Sequence, residues 1–301
     1  MLQKERLKLP LLFVVTIAIL CLVTALPAWS DTEKAKEHYN AGIEANKAGD
    51  NEGAIAAYKS AITEDDSFVD AYINLGAIYF GQKDYQNALD NFKAATEKDP
   101  ANADALANLG RVEYKLKKYV EAEAAFSAAI AISGTNAGLY KDLGKVYFAK
   151  KNYPKLIETI NKCHTNGGGD YLTHYMLGKA YNKSEQPNKA IASLKKSIEL
   201  KSSYYNAHFN LGQIYQAQEK FNSAAKAFKA ALKANPKKYK ASYNYAIAVE
   251  SANPDNLASA IKVWESFAAL AKKYPRAKGD LATAEGHLKE LHERKKHEDL
   301  Q

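Results

Sequence analysis

The chain has 301 residues, with 42 basic and 34 acidic side chains and two cysteines. Only Cys163 lies beyond the first thirty residues, which leaves no disulfide framework, zinc pair or redox motif to be built within the remainder. The net charge of +8 is unevenly spread: residues 31–136 hold 11 basic and 18 acidic side chains, net −7, whereas residues 137–301 hold 28 and 15, net +13.

At the start, Lys4, Arg6 and Lys8 precede an apolar run from Leu9 to Leu26, followed by Pro27-Ala28-Trp29-Ser30 and Asp31. A basic start, a short apolar core and small residues before a polar stretch predict a secretory signal peptide over residues 1–30. Ala28 and Ser30 would occupy the −3 and −1 positions of a cut before Asp31. The alternative is an uncleaved N-terminal anchor, although the run is short of the ~20 apolar residues that a span needs. Leu20 before Cys21 is not the small residue of a lipidation site. The leader predicts a periplasmic or otherwise secreted protein; an uncleaved leader would hold it at the membrane, facing the periplasm.

From about residue 35 a 34-residue period begins. Glycine recurs at Gly42, Gly76, Gly110, Gly144, Gly178 and Gly212, and the next slot is Ala246. With this glycine as position 8, position 7 carries Leu75, Leu109, Leu143, Leu177 and Leu211, position 4 Tyr72, Leu106, Tyr140, His174 and His208, and position 11 Tyr79, Tyr147, Tyr181 and Tyr215. Spacing of three and four puts these on one helix face. Positions 20 and 27 are mostly alanine, and position 24 is Tyr58, Phe92, Phe126, Ile160, Leu194 and Phe228. The pattern predicts two antiparallel helices per unit, with small residues permitting close approach and bulky ones filling the space between. Pro187 falls in the first turn of its second helix, and Pro100 and Pro236 close repeats.

The run Ala71-Tyr72-Ile73-Asn74-Leu75-Gly76, with Tyr79, Ala88, Phe92, Ala95 and Pro100 beyond it, resembles the tetratricopeptide repeat. Seven units are expected near residues 35–68, 69–102, 103–136, 137–170, 171–204, 205–238 and 239–274, within an array spanning 31–275. Repeat 3 departs at Glu113, which replaces the position-11 tyrosine. Repeat 4 departs at Leu156, Ile160, Cys163 and Gly167-Gly168-Gly169, and repeat 7 needs a short insertion at Asn253-Pro254. Residues 276–301 read as one further helix with Leu281, Ala284, Leu288 and Leu291 on a single stripe, suited to capping an open end. The resemblance implies an all-α, right-handed α-solenoid of stacked antiparallel helix pairs with a C-terminal capping helix.

In that family positions 2, 5, 6, 9, 12 and 13 of the first helices line a concave groove. Position 6 here carries Asn40, Asn74, Asn108, Asn210 and Asn244, broken by Asp142 and Met176. Each amide offers a donor and an acceptor, which suits an extended peptide backbone, and the series resembles the asparagine ladder in the repeats of O-linked N-acetylglucosamine transferase. Tyr39, Tyr175, Phe209 and Tyr243 at position 5 and Arg111, Lys145 and Lys179 at position 9 suit segments with apolar and acidic side chains. The family's carboxylate clamp is not expected, because Lys145 and Met176 stand where asparagines are wanted.

The sequence thus predicts a non-catalytic scaffold that holds a protein or peptide partner, acidic in character, with no cofactor, no metal and no nucleic acid. Self-association of oppositely charged ends is the alternative, and a regulatory arm of an enzyme ranks below both. His287, His292 and His297 are five apart, a spacing that rotates them off one helix face. Cys163 at position 27 reads as a small core residue rather than a nucleophile.

Overall fold

A computed structural model describes residues 31–301, and the expected leader lies outside them. The chain divides into two compact units, which meet in sequence at Thr135 and Asn136. In the first, α1 (residues 31–47) is followed by α2 (Asn51–Glu64), α3 (Val69–Gly81), α4 (Tyr85–Lys98), α5 (Ala103–Lys115) and α6 (Tyr119–Ile132). The second holds α7 (Ala137–Ala149), α8 (Tyr153–Thr165), α9 (Tyr171–Lys183), α10 (Pro187–Leu200), α11 (Tyr205–Ala217), α12 (Phe221–Ala234), α13 (Tyr239–Ala252) and α14 (Leu257–Ala271). A 3₁₀ turn at Pro275–Ala277 then leads into α15 (Lys278–Asp299). No described residue is in a strand.

Within each unit consecutive helices pack as hairpins, α3 on α4 and α5 on α6, then α7 on α8, α9 on α10, α11 on α12 and α13 on α14. The first helices of neighbouring repeats also touch, α3 with α5 in one unit and α7, α9, α11 and α13 in succession in the other.

The recurrent glycine is a contact between the two helices of one hairpin. A Cβ built on Gly110 would lie 2.9 Å from the Phe126 ring, and one on Gly144 would lie 2.3 Å from Ile160. Position 24 therefore fills the space that position 8 leaves, and each of its occupants from Tyr58 to Phe228 is no more than 2% exposed.

The deepest stripe on the first helices differs from the expected one. Position 4 is half-buried from Tyr72 to His208, while positions 3 and 10, which that spacing leaves out, are buried, as Ala71, Ala105, Thr173 and Ala207 and as Ile78, Val112, Val146 and Ile214 show. The reason is inter-repeat packing: Val112 joins Ala88, Leu89 and Phe92 of the preceding second helix, and Ala248 joins Ala224 and Phe228. In the first repeat these positions are Glu37 and Glu44, both exposed.

The turn inside each hairpin uses one left-handed residue. Gly49 takes φ +79°, and Lys83, Lys117, Lys151, Glu185 and Glu219 repeat that conformation at the same period with φ from 57° to 65°. Asp50 and Asp84 then cap the second helix by accepting from the Gly53 and Asn87 amides. In repeat 7 the turn is longer: Asn253 is extended at φ −148°, and Asn256 provides the cap, as the inserted residues required. Repeat 4 keeps its hairpin but closes differently. Gly167 is left-handed, and Gly168 fits where a Cβ would meet Cys163 Sγ at 2.6 Å and Ala137 Cβ at 2.7 Å.

The last helix caps the second unit. Ala284 and Leu291 are buried, and Leu281 and Leu288 pack half-buried against Trp264, Phe267 and Ala271. Glu250 fastens this end: its carboxylate accepts from Trp264 Nε1 at 2.9 Å and lies 2.7 Å from His287 Nε2 on α15. Among the described residues no helix is long and apolar enough to cross a membrane.

Candidate functional site

Because the hairpin geometry fixes positions 3, 7, 8 and 10 inward, position 6 stands on the flank of each first helix. Asn74, Asn108, Asn210 and Asn244 are half-buried and Asn40 is exposed, as are parts of Arg111 and Lys179 beyond them. In the first unit this sets Asn40, Asn74 and Asn108 on α1, α3 and α5; in the second it sets Asn210 and Asn244 on the adjoining α11 and α13.

Three of the amides are partly engaged already. Asn74 Nδ2 donates to the Tyr39 hydroxyl at 3.0 Å, and Asn210 Nδ2 donates to the Asn206 carbonyl at 2.7 Å. The tyrosine at position 5 of repeat 1 thus steadies the asparagine one repeat later. Asn108 accepts from Arg111 Nη1 at 2.9 Å. Every one of these amides still has hydrogen-bonding capacity, since an amide has two N–H groups and two lone pairs to offer.

The position-5 rings are more deeply used in packing than the sequence suggested. Tyr175 is only 9% exposed, and its hydroxyl is pushed up to about 12, first by burial and then by the neighbouring Tyr204. Tyr39 sits edge-on to Phe68 with centroids 5.0 Å apart, and Tyr243 sits edge-on to Phe267 at 5.1 Å. Phe209 stacks on Tyr205 at 5.5 Å and keeps a half-exposed face. Met176, at position 6 of repeat 5, is 2% exposed and belongs to the core: a thioether packs inward where an amide would stay at the surface.

The cations are partly committed as well. Lys145 Nζ pairs with Asp142 at 2.7 Å, and Lys179 Nζ lies 5.5 Å above the Phe148 ring. Lys141 pairs with Asp170, whose carboxylate also caps α9 by accepting from the Thr173 amide.

Glu113, His164, His174 and Cys163, outside the position-6 series, have altered acidity. Glu113 is 5% exposed with Oε2 lacking any hydrogen-bond partner, and burial, reinforced by the charge of Glu121, raises its carboxyl to about 7 against the opposing Lys93 and Lys118. His164 and His174 lie with ring centroids 4.4 Å apart, and burial lowers both, which keeps them neutral in neutral solution. Cys163 is fully buried, its thiol 3.3 Å from the Ala137 and Gly168 carbonyls and raised by burial, the opposite of an activated nucleophile. Among the described residues no three His, Cys, Asp or Glu side chains are grouped to hold a metal ion.

Comparison with known families gives matches described as "Tetratricopeptide repeat" over residues 81–137 and 205–238, and as "TPR repeat" over 42–83 and 178–219. Together they span more than half of the chain; the stretch 138–177 and everything after 238 fall outside them, where repeats 4 and 7 depart from the pattern. No curated protein matches the chain. Among solved structures, MamA is 26% identical with a TM-score of 0.53, covering 56% of this chain and 93% of its own. YrrB, described as a TPR protein with an unusual peptide-binding site, is 22% identical with a TM-score of 0.54, covering 61% and 93%. The C-terminal part of a TPR repeat-containing protein from Cytophaga hutchinsonii is 20% identical with a TM-score of 0.65, covering 81% and 99%.

Proposed function

The chain belongs to the tetratricopeptide repeat family, whose fold serves protein interaction, and on that premise we propose that it is a non-catalytic scaffold of the bacterial cell envelope. Peptide segments of partner proteins bind across the position-6 faces of its first helices. The observation that carries this reading is the recurrence of asparagine at position 6 of the first helices, Asn40, Asn74 and Asn108 in the first unit and Asn210 and Asn244 in the second, each retaining amide capacity toward solvent. An extended peptide has one donor and one acceptor per residue, and a series of amides meets both without requiring a particular side chain. Arg111, Lys145 and Lys179 beside the series favour acidic segments.

The envelope assignment rests on the basic-apolar-small order of residues 1–30, with cleavage before Asp31 or retention as an anchor. N-terminal sequencing of material recovered from the envelope is expected to begin at Asp31; a start at Met1 would favour the anchored form.

The test of the binding reading is a pair of double variants, Asn74→Ala with Asn108→Ala and Asn210→Ala with Asn244→Ala. At least one pair should lose partner capture while circular dichroism and the melting midpoint stay close to those of the parent. Unchanged capture by both would make the amides structural and overturn the assignment.

A second reading is favoured by the charge division. The two units carry −7 and +13, and heterologous contacts between opposite charges generate open chains of subunits. Sedimentation at rising salt separates the readings: a scaffold keeps one coefficient, whereas a charge-driven assembly shrinks.

A further inference from the structure

A cavity of about 690 Å³ opens in the second unit where the starts of α11 and α13 meet the turn after α14. Its aromatic wall is Tyr205, Phe209, Tyr239 and Tyr274. Tyr205 and Phe209 stack, and Tyr239 and Tyr274 lie with centroids 5.7 Å apart at 30°. Its rim carries Lys237, Lys238, Lys240 and Arg276, all exposed, and among the described residues no acidic side chain lines it.

Lys238 Nζ lies 5.8 Å over the Tyr205 ring, which places one cation against the aromatic wall and leaves its other face to solvent. Among the described residues none of the four rim cations is paired with a carboxylate, whereas Lys141, Lys145, Lys162 and Lys196 in the same unit each are. A cluster of like charges without counter-charges is unfavourable in the free protein and gains most from an anionic partner.

We propose that this cavity is a specificity pocket for an acidic peptide segment carrying one aromatic side chain, the ring entering between the tyrosines and the flanking carboxylates meeting the lysine–arginine rim. The inference rests on the scaffold reading and deepens it, because Phe209 belongs both to the pocket and to the position-5 series. The volume lies in the range of ligand sites and exceeds what a lone carboxylate would fill. Rings prefer edge-to-face or offset contact with other rings, and the four aromatic side chains of the wall supply such partners. The Tyr205 phenol, pushed up to about 12 by burial, stays protonated and can donate to a carboxylate.

The test uses the full chain and three synthetic peptides measured by calorimetry: Asp-Glu-Phe-Asp-Glu, the same peptide with alanine for phenylalanine, and Lys-Lys-Phe-Lys-Lys. The first should bind most tightly, and each of the others should be weaker by roughly tenfold or more. The exposed pair Lys238→Glu with Arg276→Glu should cost the first peptide at least roughly tenfold. The exposed turn residues of the other unit serve as control: Lys83→Glu with Lys117→Glu, where later repeats carry Glu185 and Glu219, should leave it unchanged. Equal binding of the acidic and basic peptides, or of the phenylalanine and alanine peptides, overturns the proposal, as does binding indifferent to the charge reversal. A peptide that fails to bind overturns the pocket alone, since the ladder is judged separately by partner capture in its own variants.

Discussion

Glycine at position 8 and the large side chain at position 24 form one contact made six times, at Gly42, Gly76, Gly110, Gly144, Gly178 and Gly212. Gly110→Leu would force its side chain into the Phe126 ring and is expected to cost ~1–3 kcal/mol, read as a lower urea midpoint; an unchanged midpoint would mean that the hairpin can open without loss. Glu113 makes a different prediction. Its carboxyl titrates at about 7 in the folded chain against 4.5 ordinarily. Between those values the folded state keeps a proton that the unfolded state has shed, so stability falls as pH rises from about 4.5 to about 7 and stays lower above that. Glu113→Gln removes the charge at constant shape, and should flatten the slope in that window and raise stability at alkaline pH by about 1–3 kcal/mol. Denaturant titrations at several pH values check it; a slope unchanged by the substitution would contradict the assignment. The sequence marked Glu113 as a departure at position 11, on the helix face shared with positions 4 and 7, and its carboxyl is buried there despite its polarity, one turn on from Gly110.

Each hairpin could be read from the chain because its constraint is local: a small residue at 8, 20 and 27 and a bulky one at 24 recur at fixed offsets. Positions 3 and 10 were not legible in the same way. Their burial comes from the second helix of the preceding repeat, a neighbour that no periodicity within one helix reveals, and alanine and valine there are unremarkable by composition. The left-handed Lys83, Lys117, Lys151, Glu185 and Glu219 were hidden for a related reason, since the turn imposes the conformation on residues that do not prefer it. At the C-terminal end the leucine stripe of α15 was legible, but its polar fastening was not: Glu250, Trp264 and His287 are far apart in sequence. Glu250→Ala would leave the Trp264 N–H buried without its acceptor and release His287, at a cost of about 1–3 kcal/mol. Hydrogen exchange should then rise across α15 and leave α9 unaffected; equal exchange in both helices would mean that leucine packing alone holds the cap.

Across the molecule, the fold was more legible than the site. Family resemblance implies that the asparagines line a groove, and the structure leaves Asn74, Asn108, Asn210 and Asn244 half-buried on their first helices. It also turns Met176 into the core and spends much of Tyr39, Tyr175 and Tyr243 on packing against other side chains, which residue type at a position cannot foretell. The cationic pocket at Tyr205 and Tyr239 escaped the sequence reading because its walls come from repeat edges and from the turn after α14. The imbalance of −7 and +13 was legible from the start and coincides with the boundary between the two units. The central claim is that partners bind the first-helix faces. Photo-cross-linking tests it most directly, with a benzophenone side chain placed at Asn108 or Asn244 and, for comparison, at the exposed Lys93 or Lys229 on second helices. The account predicts partner adducts from Asn108 or Asn244 and none from Lys93 or Lys229; adducts confined to the second helices would contradict it.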